Sequence, residues 1–341
     1  MPTALLRAAF LWVFCCVGLV SAAEPAPRTL KIMTFNVENL AVPGAKTRLE
    51  RYRFDIARAA LFERVANVIE AMEPDVVNLL EVVSKESVDR LVKILHEKGL
   101  TKYQGYHIDN SDTFTGFDVC VLSKIPLEEL DGASIRHFGM RGDHPYRGEY
   151  YSKDENGVVR QKTGGISRHA LYFLTVDGHK LGFLGLHLKA QPDDPPSNAQ
   201  CTHEMTIAQK IIQDEIVKRG YRPIVLGDFN DYDPDVPHRD ETRNTMTGVL
   251  KGLKNFDAAT PDDELVNAAA KILRREDRYT NWWDRNENGV QDPKDALTML
   301  DHILLPKEFL PHIKRALIFH NNNDVSDHWP VYVEVDLPVV K

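Results

Sequence analysis

Two short polar motifs carry side chains that could do chemistry. Residues 326–330 read Ser-Asp-His-Trp-Pro, and residues 227–231 read Gly-Asp-Phe-Asn-Asp at the end of an apolar run. Metal-assisted attack of water on a phosphate ester requires carboxylates for the cation and the base, an amide to orient, and an imidazole to meet oxyanion charge. The two motifs therefore favour a phosphoesterase.

Two earlier strand candidates end in further oxygen ligands. Residues 29–35 run into Asn36 and Glu38, and the apolar run 75–80 ends in Glu81. The order Asn-x-Glu, Glu, His, Asp-x-Asn, Asp-His, Asp-His over residues 29–336 resembles the endonuclease/exonuclease/phosphatase superfamily. That superfamily includes pancreatic-type deoxyribonucleases, abasic-site endonucleases, bacterial sphingomyelinases and inositol-polyphosphate phosphatases.

A metal site is expected at these two strand ends. A carboxylate that ends a buried strand must reach solvent or hold a cation. Asn36 and Glu38 are two residues apart and would share one face of a regular strand, where they complete the cation shell or orient Glu81. The resemblance implies one divalent ion at Asn36 and Glu81, with Asp327 beside it. Oxygen ligands favour Mg²⁺, with Mn²⁺ as a substitute.

The resemblance assigns the chemistry to residues farther along the chain. Asp228 would orient or deprotonate the attacking water, and Asn230 would position the water or the phosphate. Both residue types are also common turn formers after a strand. His328, kept protonated by Asp301, would stabilise charge on the phosphoryl oxygens. His302 is expected to be structural.

Substrate binding is expected from His187, Arg168 and Asn230. His187 matches a second histidine of the pancreatic-type nucleases that contacts phosphate or protonates the leaving oxygen. Arg168 matches an arginine that grips phosphate in those enzymes. Arg141, Arg147 and the basic residues within 274–278 could also contact phosphates, or they could be ordinary surface charges.

Residues 284–295 depart from the family pattern and resemble a calcium-binding loop. Gly289 stands at position 6, and the oxygen donors at positions 1, 3, 5, 7, 9 and 12 would be Asp284, Asn286, Asn288, the carbonyl of Val290, Asp292 and Asp295. An Asp at position 12 is shorter than the usual Glu, so bidentate coordination is in doubt, and a solvated Asn-rich turn is the alternative. A structural Ca²⁺ there would brace the catalytic face.

The first residues predict export. Arg7 precedes the apolar stretch 8–20 and the small residues 21–23, which is the pattern of a secretory signal covering residues 1–23. An uncleaved anchor is the alternative, but the apolar run is shorter than the ~20 residues that a bilayer span needs. We expect a secreted or periplasmic protein with no transmembrane segment in its mature chain.

Composition limits the partners. Cleavage after residue 23 would remove one positive charge, Arg7, and would change the net charge from −8 to −9. That balance argues against a protein that binds polyanions through charge alone. A bound divalent cation changes the local field, so a nuclease is not excluded.

Cys120 is expected as a buried thiol, with a disulfide to Cys201 as the alternative.

Alternating strands and helices predict an α/β protein with one domain over residues 24–341. Helical periodicity covers residues 55–72, 87–96 and 205–217, and a hairpin is expected at residues 169–187 around an Asp-Gly turn. The resemblance implies a four-layer α/β sandwich, with two mixed sheets packed face to face and helices outside. The polar stretches 131–165 and 231–281 are expected as loops with short helices, where substrate choice would lie.

The leading hypothesis is a secreted divalent-metal-dependent phosphodiesterase, and a nuclease acting as a monomer is the first choice. A lipid phosphodiesterase would need an exposed apolar hairpin. Trp282 and Trp283 are the candidate for it, although a packed pair under the calcium-like loop fits them better. A sugar-phosphate or inositol-phosphate phosphatase and an inactive calcium-binding surface protein are further alternatives. The sequence leaves open the substrate, the metal, and endo versus exo action.

Overall fold

The computed structural model describes residues 27–47, 55–154, 156–191, 194–240, 247–257, 259, 265–286, 288–321 and 325–338. The predicted secretory signal lies outside the described residues. Within the described ranges, no helix combines the length and the apolar composition needed to cross a bilayer.

Strands dominate the fold. The described strands are β1 Thr29–Leu40, β2 Val76–Val82, β3 Gln104–Tyr106, β4 Asp118–Ser123, β5 Ile135–Arg136, β6 Gly148–Lys153, β7 Val159–Gly164, β8 His169–Val176, β9 His179–His187, β10 Arg222–Asp228, β11 Leu265–Asn267, β12 Asn281–Trp283, β13 Ala296–Thr298, β14 Asp301–Pro306, β15 Ile313–Ile318 and β16 Val331–Asp336. The described α-helices are α1 Asp55–Met72, α2 Lys85–Glu97, α3 Pro195–Ile211 and α4 Val249–Lys254, and short 3₁₀ turns follow at Val217–Arg219, Ala268–Lys271, Arg275–Asp277 and Lys307–His312.

Two six-stranded mixed sheets form the centre of the molecule. The first sheet has the order β15-β16-β1-β2-β4-β3, and the second has the order β11-β14-β10-β9-β8-β5. Their facing side chains share one apolar core, in which Tyr172 and Phe183 of the second sheet stack with centroids 5.0 Å apart. Helices α1 and α2 cover the outer face of the first sheet, and α3 and α4 cover that of the second. The predicted four-layer sandwich is confirmed.

Apolar spacing predicted the start of helix α1 but not that of helix α3. Helix α1 has the predicted bounds, because its buried residues recur at helical spacing. Helix α3 starts at Pro195 instead of Met205. The Asp194 side chain accepts the Ser197 backbone N–H at 3.1 Å, and proline is compatible with a first helical turn. The predicted start was wrong because this first part has few apolar residues, so its start depends on capping.

The two cysteines lie on opposite outer faces of the sandwich. Cys120 is buried between the first sheet and its helices, and Cys201 is buried between the second sheet and α3. Both thiols are free. The alternative of a disulfide between them is wrong, because both sheets separate the two side chains.

The polar stretch 131–165 contains strands where short helices were expected. Strands β6 and β7 pair with each other as a separate antiparallel hairpin. Tyr151, Val158 and Val159 on this hairpin are exposed. This hairpin is largely exposed, so its sequence does not alternate between apolar and polar residues. The strands could therefore not be predicted from apolar periodicity.

Gly227 allows β9 and β10 to approach closely just before the polar residues at the end of β10. Its φ is 139°, and a Cβ atom there would lie 1.9 Å from the Leu186 carbonyl oxygen. Because the obstacle is backbone, Gly227→Ala should lower the free energy of unfolding by more than about 3 kcal/mol in denaturant titrations. Gly220→Ala is the matched control, since that φ of 80° has open space around the new Cβ and should cost only about 1–2 kcal/mol. Equal losses in the two variants would contradict this account of the close approach.

Candidate active site

Three polar side chains meet where the second sheet ends. In the parallel pair β9 and β10, Asp228 is in register with His187. In the antiparallel pair β10 and β14, Asp228 is in register with Asp301. The strands that carry His187 and Asp228 are therefore neighbours in the sheet.

Asn36 connects this edge to the first sheet. Its Nδ2 donates to Glu81 Oε1 at 3.2 Å and to Asp228 Oδ2 at 3.4 Å. Asn36 Oδ1 accepts the backbone N–H of Glu38 at 3.2 Å. The carboxylates that the sequence placed on separate strands therefore lie around one carboxamide, between the ends of the two sheets.

His328 and Asp301 form a short buried pair. His328 Nδ1 lies 2.7 Å from Asp301 Oδ2, and His328 Nε2 lies 3.9 Å from Asp228 Oδ2. Burial alone would lower the pKa of His328, but the Asp301 carboxylate, followed by Asp327 and Asp228, raises it well above the usual value. The ring is therefore a buried imidazolium that donates to Asp301.

His187 differs from His328 in its charge. Its Nε2 lies 3.6 Å from Asp228 Oδ2 and 4.0 Å from Glu81 Oε1. Burial, followed by the positive charges of Arg168 and His328, lowers the pKa of His187 well below the usual value. Its buried Nδ1 has no hydrogen-bond partner among the described residues. A neutral ring suits a hydrogen bond to phosphate better than protonation of a leaving group.

Asp228 is the most central carboxylate of this group. Burial, followed by the Asp301 charge, raises its pKa to about 7. Its Oδ1 accepts the backbone N–H of Asn230 at 2.9 Å. Asn230 Nδ2 in turn donates to the Leu188 carbonyl at 3.1 Å, which fixes the amide beside the end of β9. A carboxylate with a pKa near neutrality can accept a proton from water.

The acidic end of the site contains Glu81, Asp327 and Glu38. Burial, followed by the nearby Asp327 charge, raises the pKa of Glu81. Glu38 Oε2 accepts the backbone N–H of Asp327 at 3.3 Å. Carboxylate oxygens held together against their own repulsion fit a hard divalent cation, which removes that repulsion. Asp228, Asp301 and His328 also offer atoms within 4.8 Å of one another, but Nδ1 of this histidine is already used by Asp301.

Three of these polar residues have left-handed backbones, which non-glycine residues rarely adopt. The φ angles are 52° at Glu38, 63° at Glu81 and 51° at Asn230. In β1 the pairing with β2 also shifts register between Asn36 and Leu40. The regular alternation expected to put Asn36 and Glu38 on one face is therefore interrupted. Such strain persists where surrounding contacts enforce it, and it concentrates at functional sites.

Sequence reasoning missed Asn281, Ser326 and Thr280. The Asn281 carboxamide lies 3.1 Å from His328 Nε2, and Ser326 Oγ accepts the His328 backbone N–H at 3.0 Å while donating to the Asn36 carbonyl at 2.8 Å. Thr280 Oγ1 accepts the backbone N–H of Asp301 at 3.0 Å. Ser326 belongs to the motif that flagged the site, whereas residues 280 and 281 lie in a stretch expected to be loop.

His302 and Arg168 occupy positions beside the catalytic candidates. His302 is buried between the Asn267 amide, 2.9 Å from Nδ1, and the Asp231 carbonyl, 3.1 Å from Nε2, which fits the structural role expected for it. Arg168 Nη2 donates to the Leu188 carbonyl at 3.2 Å, the same oxygen that Asn230 contacts. The structure therefore brings Arg168 next to the group around Asp228.

The calcium-like loop connects β12 and β13, and β12 begins at Asn281. Asn286 Nδ2 and Asn288 Nδ2 donate to Asp292 Oδ2 at 2.8 and 3.1 Å, and Gly289 N–H donates to Asp284 Oδ2 at 2.6 Å. Asp295 Oδ2 accepts the Trp282 indole N–H at 3.0 Å. Carboxylate oxygens of Asp284 and Asp292 thus accept hydrogen bonds from within the loop, and Asn281 in the preceding strand lies 3.1 Å from His328 Nε2.

Trp282 and Trp283 do not form a packed pair. Trp282 packs against the central core, but Trp283 is 54% exposed with the Arg285 guanidinium 5.2 Å from its ring centroid. The expectation for Trp283 was wrong, because side chains of successive strand residues point to opposite faces.

Solved structures share this fold at low sequence identity. The 3′ phosphatase NExo from Neisseria, bound to a product DNA hairpin, has a TM-score of 0.58 and 15% identity, over 90% of this chain and 99% of that one. An endonuclease/exonuclease/phosphatase family protein from Leptotrichia buccalis has a TM-score of 0.56 and 17% identity, over 90% and 100%. Danio rerio TDP2, complexed with single-strand DNA product, has a TM-score of 0.54 and 16% identity, over 90% and 98%. Among curated proteins, none matches this chain.

A family model described as the endonuclease/exonuclease/phosphatase family matches residues 33–328. That range covers most of the chain and extends from β1 to His328. The chain therefore belongs to the endonuclease/exonuclease/phosphatase family, whose members are metal-dependent phosphoesterases.

Proposed function

We propose that this protein is an exported, Mg²⁺-dependent phosphodiesterase that hydrolyses nucleic acid. The observation that carries the proposal is the group around Asp228 Oδ2. A neutral imidazole from His187 lies 3.6 Å away, an imidazolium from His328 lies 3.9 Å away, and the Asn36 amide lies 3.4 Å away. A carboxylate base, the positive charge of an imidazolium and hydrogen-bond donors lie within one buried site, and this combination suits attack of water on phosphorus.

In this mechanism Asp228 accepts a proton from water as the water oxygen attacks phosphorus. The bond to the leaving oxygen breaks, and that oxygen takes a proton from solvent water. His328 stabilises the charge that develops on the phosphoryl oxygens, and Asp301 keeps its ring protonated. His187 and Asn230 position the phosphate. Glu81, Asp327 and Asn36 would hold the divalent ion, which neutralises phosphate charge when it is bound.

Mg²⁺ is the proposed ion because the donors are oxygens, and Mn²⁺ is the expected substitute. Nucleic acid is proposed as the substrate because two solved structures with this fold, NExo and Danio rerio TDP2, carry DNA products. The nuclease hypothesis is also supported by His187, which lies 3.6 Å from Asp228 Oδ2, and by Arg168, which shares the Leu188 carbonyl with Asn230. We also propose that the chain acts as a monomer.

A lipid phosphodiesterase is the second candidate. The β6–β7 hairpin exposes Tyr151, Val158 and Val159, with relative accessibilities of 66%, 50% and 61%. An exposed apolar hairpin can enter a membrane interface. Lys153 and Arg160 on the same hairpin could meet lipid phosphates.

Export of this protein is proposed from residues 1–23 alone. If the signal is cleaved after Ala23, protein recovered from the periplasm or the medium should begin at Glu24. Recovery only from the cytoplasm with residue 1 intact would contradict export.

The substrate assay compares single-stranded DNA, RNA, sphingomyelin vesicles and inositol phosphates, each with Mg²⁺ and with a chelator. We expect hydrolysis of nucleic acid that is lost with the chelator. Asp228→Asn should lower kcat by about 10²–10⁴-fold, because the base is lost while its shape is kept.

The matched control for the substrate assay is His302→Gln, a buried histidine outside the chemistry. It should lower the melting temperature and leave kcat close to that of the parent. Hydrolysis of sphingomyelin alone would favour the lipid candidate. Full activity in Asp228→Asn would contradict the mechanism.

We further propose that the loop 284–295 binds a structural Ca²⁺. Support comes from donor spacing and from the carboxylates of Asp284 and Asp292, which both accept hydrogen bonds from residues of the loop. Calcium should raise the melting temperature of the parent, because an ion bound only to the folded state stabilises it. The variant Asp284→Asn/Asp292→Asn should lose this rise, whereas Asp154→Asn, on the β6–β7 turn, should keep it. A parent melting curve that calcium does not shift would remove the proposal.

A further inference from the structure

A cavity of 630 Å³ opens beside the group around Asp228. Its walls come from the loop 111–115, from Met140, Arg141 and Arg147, and from residues that flank the ends of β8 and β9. These segments are far apart in sequence and meet only in the fold. The volume lies within the range of about 300–1,000 Å³ that small-ligand sites occupy.

One carbonyl group connects a residue that lines the cavity to the catalytic candidates. The Leu188 oxygen accepts a hydrogen bond from Arg168 Nη2 at 3.2 Å and another from Asn230 Nδ2 at 3.1 Å. Arg168 and Lys189 line the cavity, and Asn230 contacts Asp228. A group bound in the cavity would therefore adjoin a phosphate held at Asp228.

The charge of the cavity is opposite to that of the chain. Among the described lining residues, Arg141, Arg147, Arg168 and Lys189 are cationic, and Asp112 is the single carboxylate. The chain as a whole has a net charge of −8. A local excess of positive charge in an acidic protein attracts an anionic ligand.

Two of these arginines have unused hydrogen-bonding capacity. The buried Nε atoms of Arg147 and Arg168 have no hydrogen-bond partner among the described residues. Arg168 Nε lies 3.9 Å from Asp112 Oδ2, which is too long for a hydrogen bond. Arg147 Nη1 donates to the Gly142 carbonyl at 3.0 Å, so the guanidinium is fixed in place. Guanidinium donors match phosphate oxygens in geometry and charge.

An exposed aromatic ring stands at the rim. The Phe114 side chain is 78% exposed and lines the cavity. Its loop is fixed by Asp112, whose Oδ1 accepts the backbone N–H groups of Phe114 at 2.9 Å and Thr115 at 3.2 Å. A ring held over a cationic cavity offers a surface for stacking of an unpaired base.

We propose that this cavity is a subsite for the nucleotide that adjoins the scissile phosphate of a single-stranded nucleic acid. The adjoining phosphate binds Arg147, Arg168 and Arg141, and the adjoining base stacks on Phe114. The inference deepens the proposed function and rests on it. A paired base would be unable to stack on the ring, so single strands are the substrate class that the cavity fits.

Equilibrium binding of labelled oligonucleotides tests the subsite without turnover. All proteins carry Asp228→Asn to prevent hydrolysis, and fluorescence anisotropy is measured with Mg²⁺ present. The two probes are an oligodeoxythymidine and an abasic strand of the same length, which keeps the phosphates and lacks the bases. Thermal melting of every variant shows that it is folded.

Phe114→Ala should weaken binding of oligodeoxythymidine by about tenfold and leave binding of the abasic strand unchanged, and Phe114→Trp should restore it. Arg147→Gln should weaken binding of both probes and reduce the slope of log Kd against log salt concentration by about one. The matched controls are Tyr151→Ala and Arg160→Gln on the β6–β7 hairpin, which should change neither probe.

Three outcomes would overturn the subsite. In the first, Phe114→Ala affects both probes equally. In the second, Arg147→Gln and Arg160→Gln have the same small effect. In the third, inositol phosphates displace oligodeoxythymidine, and the Phe114 variants bind oligodeoxythymidine as tightly as the Asp228→Asn protein does. Hydrolysis of nucleic acid by the parent protein, measured separately, shows in each case whether the proposed function survives.

Discussion

The contact between Asp301 and His328 determines the electrostatics of the site. A buried histidine would ordinarily be neutral, but a carboxylate 2.7 Å away keeps it charged. That imidazolium then lies 3.9 Å from Asp228, whose own pKa is raised to about 7 by burial and by Asp301. Without the charge on His328, Asp228, Asp301, Glu81 and Asp327 would be a group of buried or half-buried carboxylates with no balancing charge. A divalent cation at Glu81 and Asp327 would balance the charge at the acidic end of the site.

The buried charged side chains are held at the ends of several strands and not on one element of the fold. The pairing of β10 with β9 and with β14 places Asp228 between His187 and Asp301 on adjacent strands. Asn36 then connects that edge to the first sheet. The backbone is left-handed at Glu81, near the end of β2, and at Asn230, just after β10. Close packing of the two sheets therefore provides the energy that keeps polar groups together.

Sequence reasoning succeeded where a residue follows an apolar run. The ends of β2 and β10 could be read from the runs that precede Glu81 and Asp228, and the Asp-Gly turn at residue 177 fixed the β8–β9 hairpin. The pairing of His328 with Asp301 came from the family resemblance and not from spacing. The interrupted alternation at Glu38 could not be foreseen, because a φ of 52° there depends on contacts from other strands.

The remaining features depend on segments that meet only in three dimensions. Asn281 reaches His328 because β12 forms an isolated bridge at that residue. The cavity beside Arg168 combines residues 111–115, 141, 147 and 189, and no local pattern connects them. The β6–β7 hairpin is largely exposed, so it lacks the apolar periodicity that sequence reasoning requires.

A double-mutant cycle on kcat/KM tests the central pair most directly. Asp301→Asn removes the anion and His328→Gln removes the ring, and each should lower kcat/KM for a diester substrate. If Asp301 acts through the charge of His328, the double variant should be scarcely worse than His328→Gln alone. Losses that simply add in free energy would mean that the two residues act independently, and the account of a carboxylate-supported imidazolium would be wrong.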